Sequence, residues 1–269
     1  RRHEEPVVRL PKEMSFLEHV DELRTRLLRI VTTIVVISLF AFLFGIERFR
    51  YGETVFYLPY PNPFDNIASL LVKRVQGDML PEHVKLIVTS PGQAIIAQLY
   101  VSIFLGILLG MPVIVHQTCA FVNPALYPHE RESFLRLIAP SVTLFVIGAV
   151  FSYIFVIPVA IRFLYVYGVV LGAETFITVN DLMAFVLLFA LAGGLSFQLP
   201  IMMWVVTRSG LVDPSFWLKN LRYAIVAIAI FGAVITPDHS GVTMWLIAGP
   251  MVALYLAACV LLRRQAPKT

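Results

Sequence analysis

Six stretches of this chain run without Asp, Glu, Lys or Arg, and no other feature limits the fold as strongly. They are Ile30–Ile46 (17 residues), the apolar part of a longer run at 94–115, Leu137–Ile161 (25), Leu182–Thr207 (26), Tyr223–Pro237 (15) and His239–Leu262 (24). A bilayer's hydrocarbon core is about 30 Å thick and is crossed by ~20 apolar residues of helix. A soluble domain carries roughly 25% charged residues, whereas this chain has 14%, with a mean hydropathy of +0.81. The expected fold is therefore an all-α integral membrane protein. It has six transmembrane helices, at 30–46, 94–115, 137–161, 182–207, 223–237 and 242–262, in a single domain over 1–269. The fifth span is short: 15 residues reach only about 22 Å at 1.5 Å per residue. The bilayer should thin there.

Pro112, Pro140, Pro200 and Pro250 fall inside these spans. Each removes a backbone hydrogen bond and is expected to kink its helix. Lys and Arg set the orientation. With the N-terminus inside, the inside segments hold 15 of them and the outside segments 6. This ratio favours an N-in/C-in, multi-pass protein. The net charge of +4 and pI near 9.1 then reflect uneven placement of basic residues, not nucleic-acid binding. The first 29 residues are highly charged, so no cleavable signal peptide is expected. No internal repeat stands out, which counts against the inverted-repeat design of many transporters.

Residues 13–29 read as an N-terminal amphipathic helix on the cytoplasmic surface. Ser15 and Glu18 form a capping-box pattern, and Leu17, Val20, Leu23, Leu27 and Leu28 share a face. Glu22 and Arg26 stand at i,i+4 spacing and suit a simple ion pair. The outside loop, 47–92, contains five prolines and one helical pattern: Phe64, Ile67, Leu71 and Val75, with Asn62 as cap and Pro63 at the first position. A loop this long is expected to be structured. The inside loop after Cys119 is stiffened by Pro124 and Pro128. Pro128 suits the first turn of the next helix, where the helix dipole favours Glu130 and Glu132. The alternative is an acidic surface beside Phe121 that suits a basic, apolar peptide. Gln198 is the most deeply placed polar side chain and should meet another helix or a partner.

Catalytic chemistry is missing from the sequence. The six histidines are scattered, with no metal-ligand spacing. There is no nucleophile elbow and no phosphate loop. Cys119 and Cys259 cannot form a scaffold of disulfides. No enzyme activity, metal or cofactor is expected. A small-molecule secondary transporter is the competing reading, but the spans carry no buried acid for an ion relay.

Four segments, in order, resemble one family. Ser15–Leu28 (SFLEHVDELRTRLL) is similar to the N-terminal signature of TatC, the multispanning subunit of the twin-arginine protein translocase. Phe121–Arg131 (FVNPALYPHER) resembles its first cytoplasmic loop, Leu195–Pro200 (LSFQLP) its fourth-span motif, and Ile235–Asp238 (ITPD) its final hairpin. The resemblance implies a receptor for the twin-arginine signal peptides of folded proteins. It implies a place in the cytoplasmic (inner) membrane, with both termini cytoplasmic. The expected partners are the lipid bilayer, TatA- and TatB-type single-span proteins and further copies of the chain. Transport would be driven by the proton-motive force. By position, Glu130 would face the signal's arginines. Glu22, Leu23 and Arg24 would complete the patch, lined by Phe121 and flanked by His129 and Arg131. The family usually carries Glu in its fourth span, so Gln198 implies a polar contact with a partner helix and not a charge-based role. Thr236 and Thr243, in the last hairpin, are the remaining positions expected at partner docking or as polar groups within the membrane.

Overall fold

The computed structural model describes residues 16–51, 54–80, 84–122, 137–172, 175–236 and 241–265. Helix α1 (Phe16–Leu43) is one element of 28 residues. The amphipathic segment expected at 13–29 and the first span thus form a single helix. Ser15 of the expected capping box lies outside the described residues. Burial along α1 recurs at i, i+4 and i+7: Glu22, Arg26, Ile30, Thr33, Ile37 and Ala41 are shielded. Leu23, Leu27, Val31, Val35 and Leu39 are exposed. The apolar face therefore turns outward and the Glu22–Arg26 stripe inward, the reverse of a helix on a soluble core.

The inward stripe runs antiparallel along helix α3 (Gln93–Val122). Close approach is possible because α3 offers Gly106 and Gly110, a G-x-x-x-G spacing of the kind that lets membrane helices touch through their backbones. A Cβ on Gly106 would strike the Ser38 hydroxyl and stand 2.7 Å from the Ile34 carbonyl.

The segment after α1 is not purely helical, which corrects the all-α expectation. Strands β1 (Phe44–Tyr51) and β2 (Thr54–Pro61) pair antiparallel, with Phe44 opposite Pro61. Strand β3 (Val84–Ile87) pairs in parallel with β4 (Thr175–Thr178). These short extended pieces satisfy each other's backbone groups outside the long helices. Between them lies α2 (Ile67–Met79). Its cap is Asn66, not the expected Asn62: the Asn66 side chain accepts from the Ser69 N–H at 2.7 Å. Asn62 instead closes a turn, accepting from the Phe64 and Asp65 N–H groups at 3.1 Å, so Pro63 precedes the helix by a full turn. Asn66 is fully buried. Its amide also donates to the Phe42 carbonyl at 2.7 Å and to Gln98 Oε1 at 3.0 Å. One side chain thus caps α2 and ties it to the end of α1 and the start of α3.

Helix α4 (Ile138–Phe151) leads through a π turn (Ser152–Val156) into α5 (Ile157–Val170). Pro140 sits in the first turn of α4, where its missing N–H costs no helical bond. It therefore does not interrupt this span as expected. The irregularity falls instead just ahead of Pro158, a proline the sequence reading passed over. A proline ring crowds the carbonyl four residues earlier, and a wider π turn relieves that clash. Helix α6 (Val179–Ser196) stops at Phe197 and Gln198, and α7 (Leu199–Arg208) restarts with Pro200 in its first turn. Pro112 and Pro250 lie within continuous helices, α3 and α10 (Gly241–Gln265). The short helix α8 (Pro214–Lys219) precedes α9 (Leu221–Ile235) and α10 (Gly241–Gln265).

The core is centred on α6. Phe145 of α4 and Phe189 of α6 are fully buried. The two helices cross backbone to backbone: a Cβ on Gly148 would stand 2.5 Å from the Gly193 carbonyl. A Cβ on Gly194 would stand 2.7 Å from the Phe145 ring. At the far side, Trp217 of α8 donates to Thr207 Oγ1 of α7, and Tyr255 of α10 donates to the Trp217 carbonyl, both at 2.8 Å. Among the described residues, five helices are long and apolar enough to cross a membrane, and Leu221–Ile235 is a shorter apolar helix. The chain is a multi-pass membrane protein.

Candidate functional site

The start of α1 and the end of α3 meet in a polar junction. Glu22 and Arg26 lie one helical turn apart on the buried stripe of α1, each with 19% of its side chain exposed. Arg26 Nε donates to Glu22 Oε1 at 3.0 Å and Nη2 to the same oxygen at 2.5 Å. The third nitrogen, Nη1, donates to Gln117 Oε1 on α3 at 3.3 Å. Gln117 is 8% exposed. One guanidinium thus joins two helices, a geometry open to its planar fork and not to an ammonium. An exposed i,i+4 pair is worth about 0.3–0.5 kcal/mol; this pair is shielded and carries an additional hydrogen bond.

The second oxygen of Glu22 is the unusual atom. Oε2 is buried and has no hydrogen-bond partner among the described residues. His19 Nδ1 lies 4.0 Å from it. The His19 ring stacks on Phe121, with centroids 4.5 Å apart and planes inclined by 22°. A carboxylate oxygen without a donor is costly, so this arrangement suits an acceptor for a cationic N–H group brought from elsewhere.

The structure brings together Glu22 and Phe121 of the expected patch. Leu23 and Arg24 are exposed, on the other side of α1, because successive helical residues turn by about 100°. His129, Glu130 and Arg131 lie outside the described residues. The sequence reading missed His19 and Gln117 and treated Arg26 only as a bland pair. The signal was there: His19, Glu22 and Arg26 repeat at three and four residues, and Gln117 is the one amide in the second half of an apolar helix.

The remaining expected residues sit elsewhere. Gln198, in the break between α6 and α7, donates from Nε2 to the Ser141 carbonyl of α4 at 3.0 Å. Its amide group is therefore engaged within the chain. Thr236 and Thr243 are 3% and 0% exposed, and Thr236 Oγ1 donates to the Gly232 carbonyl at 3.0 Å. Both are thus buried polar residues of the α9–α10 hairpin. Far from the junction, Lys73 Nζ lies 2.8 Å from Asp65. The Lys73 and Ser69 hydrogen bonds hold the Asp65 carboxyl below its usual value. No cluster of metal-ligating side chains occurs among the described residues.

Comparison with known proteins identifies the family of the chain. The model of the Sec-independent protein translocase protein (TatC) matches residues 18–250. The TatC of Cenarchaeum symbiosum is 46% identical over 257 residues, covering 95% of this chain and 97% of that protein. The TatC of Aquifex aeolicus is 34% identical, covering 90% and 92%. A crystal structure of a twin-arginine translocase receptor, TatC, aligns with a TM-score of 0.75 at 30% identity, over 92% of this chain and 99% of that one. A family match over residues 18–250, identities of 30–46% over nine-tenths or more of each chain and a shared fold lead to one conclusion: this chain belongs to the TatC family of Sec-independent protein translocase proteins.

Proposed function

We propose that this chain is the core receptor subunit of a twin-arginine translocation system. It binds the twin-arginine signal peptides of folded proteins on the cytoplasmic face. It nucleates the export complex with TatA- and TatB-type single-span partners and further copies of itself, driven by the proton-motive force. The observation that carries this reading is the Glu22 carboxylate at the α1–α3 junction, one oxygen buried beside the His19–Phe121 stack and without a partner among the described residues. Helix α3 leads from Phe121 directly into the segment that bears Glu130, so a second carboxylate enters the chain nine residues later. Two arginines offer forked donors to two such acids, each charge-assisted bond being worth about 1.5–3 kcal/mol. The signal's apolar stretch would then lie along the exposed leucine face of α1.

In this reading the short helix Leu221–Ile235 is a sixth span. Both termini lie in the cytoplasm, in keeping with the excess of Lys and Arg on that side, and the membrane is the cytoplasmic one. Binding of a twin-arginine peptide to the purified, detergent-solubilised protein tests the proposal, with a Lys-Lys peptide and the Glu130→Ala protein as controls. Tight binding lost in both controls is expected. Equal affinity in all three pairings would overturn the receptor reading and return the chain to the transporter class.

A further inference from the structure

The Glu22 carboxylate is half occupied by the protein's own guanidinium. Arg26 directs both Nε and Nη2 to Oε1, and its Nη1 to Gln117. Oε2 is left without a donor among the described residues. A free carboxylate draws lysine and arginine alike, because the attraction is largely that of a point charge. A carboxylate already paired with a fixed cation has little net charge left. What remains on Oε2 is a directional acceptor, which rewards a donor with the right geometry more than a charge alone.

We propose that Arg26, anchored by Gln117, is a positioning residue that sets the preference of this site for arginine over lysine in the incoming peptide. It does so by neutralising Glu22 and by leaving Oε2, buried beside the His19–Phe121 stack, as the one carboxylate oxygen without a donor among the described residues. This rests on the receptor reading above. Arg26 does not touch the ligand; it acts through Glu22. His19 Nδ1, held 4.0 Å from Oε2 by its stack on Phe121, marks the side from which a guanidinium would enter. The Glu22–Arg26 spacing alone would suggest a helix-stabilising pair. The reach to Gln117 across to α3 and the unpartnered second oxygen are what a merely local pair does not require.

The test uses the full chain in detergent and two peptides, one with Arg-Arg and one with Lys-Lys at the paired position. Dissociation constants are measured for the wild type, Arg26→Gln and Gln117→Leu. The expected result for Arg26→Gln is a fall of about tenfold in the ratio of Lys-Lys to Arg-Arg dissociation constants, the scale of one charge-assisted hydrogen bond. Lys-Lys binding should be undiminished or tighter. Gln117→Leu keeps the Glu22–Arg26 pair and loses only its anchor, so the ratio should fall in the same direction by about threefold. A purely structural role would weaken both peptides together and leave the ratio unchanged; that outcome overturns the proposal. If Arg26→Gln does not fold, the Gln117→Leu ratio decides alone. A wild type that binds both peptides equally would sink the receptor reading itself. A discriminating wild type with unchanged variants would sink only the role of Arg26.

Discussion

The span windows in α1 and in α6–α7 have the same mean hydropathy, 2.1, but 6% of the first is buried inside the chain and 61% of the second. Hydropathy reports compatibility with lipid; it does not say how many protein neighbours a helix has. The difference lies in the small residues. Helix α6 has Gly193 and Gly194 facing Gly148 and Phe145 of α4, so backbone meets backbone. Helix α1 has no glycine of its own at its contact and depends on Gly106 of α3 and the Glu22–Arg26–Gln117 junction. One helix is embedded; the other is hung along one edge by a few points.

Substitutions can break this contrast in a graded order. Gly193→Leu should have the largest effect, because its Cβ would stand 2.7 Å from the Gly148 carbonyl and backbone cannot step aside. Overpacking costs about 1–3 kcal/mol and occasionally more; here the cost should reach the upper end. Loss of the monodisperse folded species on detergent size exclusion would register it. Gly106→Leu comes next, at about 1–3 kcal/mol, and its damage should stay local. Limited proteolysis should release α1 while the α4–α6 core remains intact. Gly110→Ala is the matched control, since its Cβ finds only ordinary contacts from 3.7 Å outward; its midpoint should stay within about 0.5 kcal/mol of wild type. If Gly106→Leu unfolds the whole chain at once, the two regions are not separable.

Gln198→Leu should cost less, about 1 kcal/mol for the bond to the Ser141 carbonyl, read as a lower thermal midpoint. The smallest effect belongs to Asp65. Its folded pKa is depressed by Lys73 and Ser69, so its contribution is present above the unfolded carboxylate value. It is lost as pH falls through the folded one. Because Asp65 and Lys73 are more than half exposed, the acid-side loss should be slight, and it should shrink in Lys73→Met, where only the Ser69 bond still lowers the carboxyl. A comparison of the two proteins' midpoints below pH 4 would expose it.

The membrane class, the long spans and the family were legible because charge-free runs of apolar residues and two long motifs leave little freedom. What was not legible depended on contacts between distant residues. Asn62 and Asn66 are both plausible caps in sequence; only the closure of α2 onto Phe42 and Gln98 selects Asn66. Glu22 was visible as an acid, but its inward direction came from α3. The strands β3 and β4 were hidden because their partners are some ninety residues apart, and parallel pairing leaves no local signal.

The π turn at Ser152–Val156 has a consequence for the numbering of the helix it interrupts. An α-helix keeps time, one residue for each 100° of rotation. The wider turn takes in one extra residue, so α5 starts out of phase with α4 by that amount. A ruler laid along the α4 stripe Ser141, Phe145, Gly148 and Ser152 would therefore misplace the residues beyond Val156. Their own inward set is Ile157, Ala160 and Ile161. In effect the helix carries a built-in insertion. It lets the α4 half fit the glycines of α6 while the α5 half follows α2 and β4, two neighbours that a single uninterrupted stripe could not face together.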